Sequence, residues 1–250
     1  MKKPIFLLVL SICVMMLQAN PTELLQQGNE AYKHADYNTA IESYLGVYEA
    51  GYESADLDYN LGNAYYRTDQ YGLSILYYHR ALRLRPHFPE AEQNLALANA
   101  RTEDNITPLP EFLLARWFHS LVNLFSPTGW LIGILLLAVI CVIFALLFRF
   151  AHSYSLRRGG LIALVVAGIL FLVTMGCAIS SIHRFNTHDS AVVTQPMVVV
   201  KSSPDESGVD KLILHDGTVI SIEETIDSWH KIRLADGNTG WLPTADVTVI

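Results

Sequence analysis

The chain has 250 residues, of which 51% are hydrophobic and 16% charged, with a formal net charge of −7 and a mean hydropathy of +0.28. That balance is too apolar for an ordinary soluble domain and too polar for a bundle lying wholly in a bilayer, so the segments must differ in kind. Nothing basic is clustered outside the flanks of the most apolar stretches, which argues against nucleic acid as a partner.

The first nineteen residues have the layout of a secretory signal. Lys2 and Lys3 form a positive start, Ile5 to Leu17 an apolar run, and Leu17-Gln18-Ala19 a small-residue exit before Asn20. Such a run is short for a membrane span, and cleavage after Ala19 is the expectation. The rival is a lipoprotein site at Cys13, where bulky Ile12 is a poor neighbour for a lipidated cysteine.

Residues 22–104 repeat. A shift of 34 superimposes Gly28 on Gly62, Asn29 on Asn63, Tyr32 on Tyr66, Tyr37 on Tyr71, Ile41 on Ile75 and Tyr44 on Tyr78. Small Ala40 falls on Ser74, and Pro86 closes the second copy. A period of this length with an early glycine, mid-repeat aromatics and a late small residue resembles the tetratricopeptide repeat (TPR), a helical hairpin stacked into a solenoid. Gly28 and Gly62 would sit where the two helices approach too closely for a Cβ, with tyrosines filling the space between helices. A third helix starting at Pro89 and running to about Arg101 would cover the open end of the second repeat, its Asn94-Leu95-Ala96 echoing Asn60-Leu61-Gly62.

The TPR resemblance also implies a groove, because the first helix of each repeat lines the concave face in that family. The corresponding positions here are Asn29, Tyr32 and Lys33, then Tyr59, Asn63, Tyr66 and Arg67, with Asn60 and Asn94 at the adjoining groove position. Amides, phenols and two cations suit an extended peptide; the alternative for Tyr32 and Tyr66 is simple packing between helices. The chain is similar to carboxylate-clamp TPRs only at Asn29 and Asn60. The clamp's first lysine is replaced by Leu25 and its later basic residues by Glu90 and Asn94, so capture of a C-terminal carboxylate is not expected.

Asn105 to Pro110 carries two prolines and reads as a linker. Glu111 to Phe125 has a broad apolar face with Arg116 and His119 opposite, the pattern of a helix lying on a bilayer surface or of a wet start to the next span. Trp130 to Phe148 and Gly159 to Ile182 contain no charge, and each is long enough to cross roughly 30 Å of hydrocarbon as a helix. Between them stand Arg149, Arg157 and Arg158 and no acid, which places the loop 149–158 in the cytoplasm and the flanking domains outside it. Neither span holds an ionisable group except a cysteine thiol, so ion or proton transport has no support.

From Ser190 the pattern changes to short alternating stretches: Ala191 to Val193, Met197 to Lys201, Thr218 to Ile222, Trp229 to Leu234 and Gly240 to Pro243. Turn signals at Ser202-Ser203-Pro204, Asp216-Gly217 and Asp236-Gly237 separate them. Five short strands suggest a small barrel. The tail from Trp229-His230-Lys231-Ile232, through the Asp236-Gly237 turn, to Gly240-Trp241-Leu242-Pro243 resembles the end of bacterial SH3-like domains. Proline-helix binding is not expected, since Asp246 follows Pro243-Thr244-Ala245 where a tyrosine would be needed. Trp229 and Trp241 could face a ligand groove or the core, with core or partial burial favoured for Trp241.

No G-x-S-x-G, H-E-x-x-H, P-loop or G-x-G-x-x-G motif is present, and Cys13, Cys141 and Cys177 lie in apolar stretches without metal or redox spacing. No catalytic residue, metal site or cofactor is expected. The expected architecture is therefore multidomain: a signal peptide at 1–19, an all-α TPR solenoid at 22–104, a linker and interfacial helix at 105–129, two transmembrane helices at 130–182, and a small all-β SH3-like domain at 190–250. This order resembles the Bat aerotolerance family in its BatE-type branch. The resemblance implies a non-enzymatic envelope scaffold working with von Willebrand-type Bat-family membrane proteins in tolerance of oxygen or related stress, with membrane lipid around the spans. An alternative is a cell-wall module that holds peptidoglycan through the SH3-like domain.

Overall fold

The computed structural model describes residues 20–110, 112–187 and 189–250, so the signal-type segment lies outside the described residues. The chain divides into two compact units: one gathers residues 20–84, 88–107 and 190–250, and the other is built chiefly from residues 108–189.

The first unit opens with two helical hairpins and a lone helix. Helix α1 (Pro21–Lys33) starts where the Asn20 side chain accepts from the Thr22 amide, and α2 (Tyr37–Glu49) where Asp36 accepts from Thr39. In α3 (Ala55–Arg67) the Ser54 hydroxyl accepts from the Leu57 amide. Each cap satisfies an amide that the helix itself leaves without a partner. Helices α4 (Tyr71–Leu84) and α5 (Pro89–Asn99) follow. Ala35 and Asp69 both turn into the left-handed region, at φ 61° and 59°, so the 34-residue period extends to the backbone of the two hairpin turns.

The repeated spacing has a steric cause. A Cβ at Gly28 would lie 2.5 Å from Tyr44 Cε1, and one at Gly62 would lie 2.6 Å from the ring of Tyr78. Each tyrosine is therefore pressed flat against a helix backbone in its own hairpin, and both are about 1% exposed. Ala40, Ile41, Val47, Leu57, Leu61, Ala64, Tyr65 and Tyr77 complete this core, which draws on the first four helices.

The same unit contains one antiparallel sheet of seven strands: β1 (Ser190–Val193), β2 (Met197–Lys201), β3 (Asp210–His215), β4 (Val219–Ile226), β5 (Trp229–Arg233), β6 (Thr239–Pro243) and β7 (Val247–Val249), in the order β3-β2-β6-β5-β4-β1-β7. A single core draws on all of them through Ala191, Val198, Val200, Leu214, Ile220, Ile232, Leu242 and Val247. A flat sheet of seven strands would spread these residues over about 29 Å, at ~4.8 Å per strand. One shared cluster therefore requires a strongly curled sheet.

Two strands were not visible as alternation. In β3 exposed Ile213 sits between half-buried Leu212 and buried Leu214, which turns the pattern into a plain apolar run. The three residues of β7 are held by pairing to β1, a contact from across the chain. Gly240 does not have a positive φ; a glycine is required there because a Cβ would strike Val200 Cγ1 at 2.3 Å. Trp229 is buried and Trp241 half-buried.

The second unit holds α6 (Leu113–Val122), α7 (Pro127–Phe150) and α8 (Tyr154–Asn186). Helix α7 has 24 residues and α8 has 33, giving lengths of about 36 and 50 Å. Both exceed the expected spans at each end, and Arg157 and Arg158 lie inside the first turns of α8 rather than in a loop. In the most apolar window of α7 no residue is buried, and in that of α8 17% are. Helices apolar on all sides and left uncovered are stable only in a non-aqueous solvent, so α7 and α8 have the length and composition to cross a membrane. Helix α6 is joined to α7 at a fixed corner, where Trp130 Nε1 donates to the Val122 carbonyl at 2.9 Å and Phe125 meets the Trp130 ring edge-on at 5.2 Å.

Candidate functional site

The inner helices α1, α3 and α5 carry a hydrogen-bond pattern that repeats with the sequence. Tyr44 donates its hydroxyl proton to Asn29 Oδ1 at 2.9 Å, and one period later Tyr78 donates to Asn63 Oδ1 at 2.7 Å. Across to the next inner helix, Asn60 Nδ2 donates to Asn29 Oδ1 at 3.5 Å and Asn94 Nδ2 to Asn63 Oδ1 at 2.7 Å. Each first-position asparagine thus links the buried tyrosine of its own hairpin to the asparagine of the following helix. The next step of the period falls on Leu97, so the ladder stops at α5 and leaves that side chain 56% exposed.

Beside the second rung lies a pocket of about 190 Å³ lined by Tyr32, Asn63, Tyr66, Arg67, Tyr78, Asn94 and Leu97. It brings together five of the residues assigned from the sequence: Tyr32, Asn63, Tyr66, Arg67 and Asn94. The other four lie elsewhere. Asn29 and Asn60 form the first rung. Tyr59 packs against Phe88, with ring centroids 4.9 Å apart, and accepts from Asn94 Nδ2 at 3.2 Å. Lys33 pairs with Glu30 at 2.7 Å on an open surface. Sequence reasoning did not assign Tyr78 or Leu97 to the groove, although each stands one period after a residue already singled out, Tyr44 and Asn63 respectively.

The charge state of the pocket is simple. Burial raises the Tyr32 hydroxyl above its ordinary value, with Arg67 pulling it partly back. Burial pushes Tyr44 up to about 12 and raises Tyr78 as well. These phenols stay protonated at neutral pH and serve as hydrogen-bonding groups. The one guanidinium of the lining, Arg67, lies over the Tyr37 ring at 5.0 Å, a stacking that orients it while leaving it exposed. Amides, phenols, one fixed cation and an exposed leucine can recognise a polypeptide by hydrogen bonds and one apolar contact. Among the described residues there is no group of three His, Cys, Asp or Glu placed to hold a metal ion.

Against known families, the tetratricopeptide repeat matches residues 59–88, from the body of α3 to the residue before α5. No curated protein matches the sequence closely enough to count as a relative. The repeated helices α1–α5 are therefore TPR-like, and repeats of this kind serve in general for protein–protein interaction.

Proposed function

We propose that this chain is a non-enzymatic, membrane-anchored scaffold whose TPR groove takes an extended segment of a partner protein. The observation that carries the reading is the pocket beside the second asparagine rung, where Arg67, Tyr66 and Leu97 are presented on a rigid, internally bonded frame. Extended concave surfaces of this kind are what helical solenoids supply. Helices α7 and α8 fix the module in the bilayer, and the uncovered side chains of α6, Trp117 at 77% exposure among them, would lie at the lipid interface. Arginines at 149, 157 and 158 support a cytoplasmic α7–α8 connection, with the groove on the outer side of the cytoplasmic membrane. The order of TPR array, two spans and a terminal SH3-like domain supports a Bat-family setting, with von Willebrand-type membrane proteins as partners and tolerance of oxygen or related stress as the context.

The test is in-cell crosslinking from a photoreactive residue at position 97, followed by detergent purification. Von Willebrand-type membrane proteins should be captured by the wild-type groove and lost on Arg67→Glu. Asn29 and Asn63 are left intact, because each holds a buried tyrosine. Failure to capture any such protein from position 97 would show that the contact lies outside the groove, and equal capture by Arg67→Glu would show that the guanidinium takes no part in it.

A further inference from the structure

A TPR array must cover the apolar flank of its last helix, and solenoids usually do so with a polar capping helix. Here α1 pairs with α2 and α3 with α4, while α5 has no following helix of its own hairpin. The cluster at that end contains Ile75, Leu76 and Tyr78 from α4 and Ala98 from α5, together with Val192 from β1, with Val219 and Ile250 packed against it. Val192 is fully buried. The terminal sheet thus supplies the apolar surface that a further helix would otherwise provide.

Polar contacts hold the sheet at three places. At the N-terminus of α4, the Gly72 amide donates to Asp216 Oδ2 at 2.9 Å, so the β3–β4 turn supplies the anionic cap of that helix. The fit is tight: a Cβ at Gly72 would lie 1.8 Å from Asp216 Oδ1, and one at Gly217 (φ +90°) 2.5 Å from Thr102 Cγ2. Near the other end of α4, Arg80 Nη2 donates to the Val249 carbonyl at 2.8 Å and Arg83 Nη1 to the Ile250 carbonyl at 2.6 Å. Beyond α5, Asp104 accepts from the His215 amide at 2.7 Å and from the Thr218 hydroxyl at 2.5 Å, and meets His215 Nδ1 at 2.7 Å.

We infer that the C-terminal β domain is the cap of the TPR array, and that its docking holds α5 so that Asn94 and Leu97 complete the pocket. Tyr78 makes the link: its ring belongs to the cluster shared with Val192, and its hydroxyl bonds to Asn63, which in turn accepts from Asn94. The partner-binding role of the pocket rests on the reading above, whereas the capping role does not depend on any partner.

The test uses the full chain in detergent, with Cys13, Cys141 and Cys177 replaced by alanine and Gly72→Cys with Asp216→Cys as a docking reporter. Oxidation should join the two positions; no crosslink, together with α5 amide exchange in this reporter equal to that of the wild type, overturns the docking. Separately, hydrogen exchange is compared between wild type and two variants, Asp104→Ala and Val192→Asp. Undocking by Val192→Asp should speed exchange of the α5 amides at least tenfold, while α1, α2 and the β5–β6 amides keep their protection, the last showing that the sheet still folds. Asp104→Ala should move α5 in the same direction by a smaller factor. If α5 keeps wild-type protection when the reporter crosslink is lost in the Val192→Asp background, the sheet does not hold α5 and the inference fails. Failure of the groove reading would appear instead as no partner captured from position 97.

Discussion

Asp58 has one carboxylate oxygen without a partner. It sits fully buried in the first turn of α3, where Oδ1 accepts from the Tyr48 hydroxyl and Oδ2 has no hydrogen bond among the described residues. Burial raises its pKa to about 7, against the opposing pull of Arg80 and Arg83. Because the folded-state value lies above the unfolded one, the folded chain holds a proton between the ordinary carboxylate range and about pH 7 that the unfolded chain has released. Stability should therefore fall as pH rises through that window and level off above it. Melting temperatures of the detergent-solubilised protein at pH 5 and pH 8 would show this fall, and Asp58→Asn should reduce it. The same slope in both proteins would assign the effect to other groups. Nothing in the sequence marks Asp58 as special; only the packing of α2 and α4 around it removes the water.

At the scale of the hairpin, the glycine–tyrosine pair sets the distance between helices. Gly62→Ala would drive a methyl into the Tyr78 ring, at a site where the partner is about 1% exposed and bonded through its hydroxyl to Asn63. The expected loss is about 1–3 kcal/mol, the usual range for overpacking a filled core, read as a shift in the denaturant midpoint. A loss no larger than that of an exposed Ala-neutral site such as Gln26→Ala would mean that α3 and α4 can separate freely. This pairing was legible because it recurs at Gly28 and Tyr44; repetition doubled a signal that would be weak alone. The asparagine ladder was half legible. The period marked Asn29, Asn60, Asn63 and Asn94, but not that their amides face one another across helices, which depends on the crossing of α1, α3 and α5.

For the whole molecule, the sheet packs on α4 and α5 although 82 residues separate residue 107 from residue 190. A chain that crosses a bilayer twice returns to the side it left, so two spans are compatible with this contact whereas one or three would forbid it. Cysteines introduced at Gln26 and Asn238, both exposed, should react alike with a membrane-impermeant maleimide on spheroplasts, while one at Ser155 should react only after permeabilisation. Opposite behaviour of positions 26 and 238 would rule out the double crossing.

The sequence by itself determined the elements whose signal is local or repeated: the 34-residue helical period, two uncharged stretches long enough to span, and the turns that delimit most of the strands. These follow from side-chain periodicity and from backbone preferences of glycine and proline, which act over a few residues. The tertiary structure alone decided the strands β3 and β7, the close approach that demands Gly240, the burial of Asp58, and the seating of the sheet on the last TPR helices. Each of these depends on a surface brought from far along the chain, and a residue's neighbours in sequence carry no information about which distant surface will cover it.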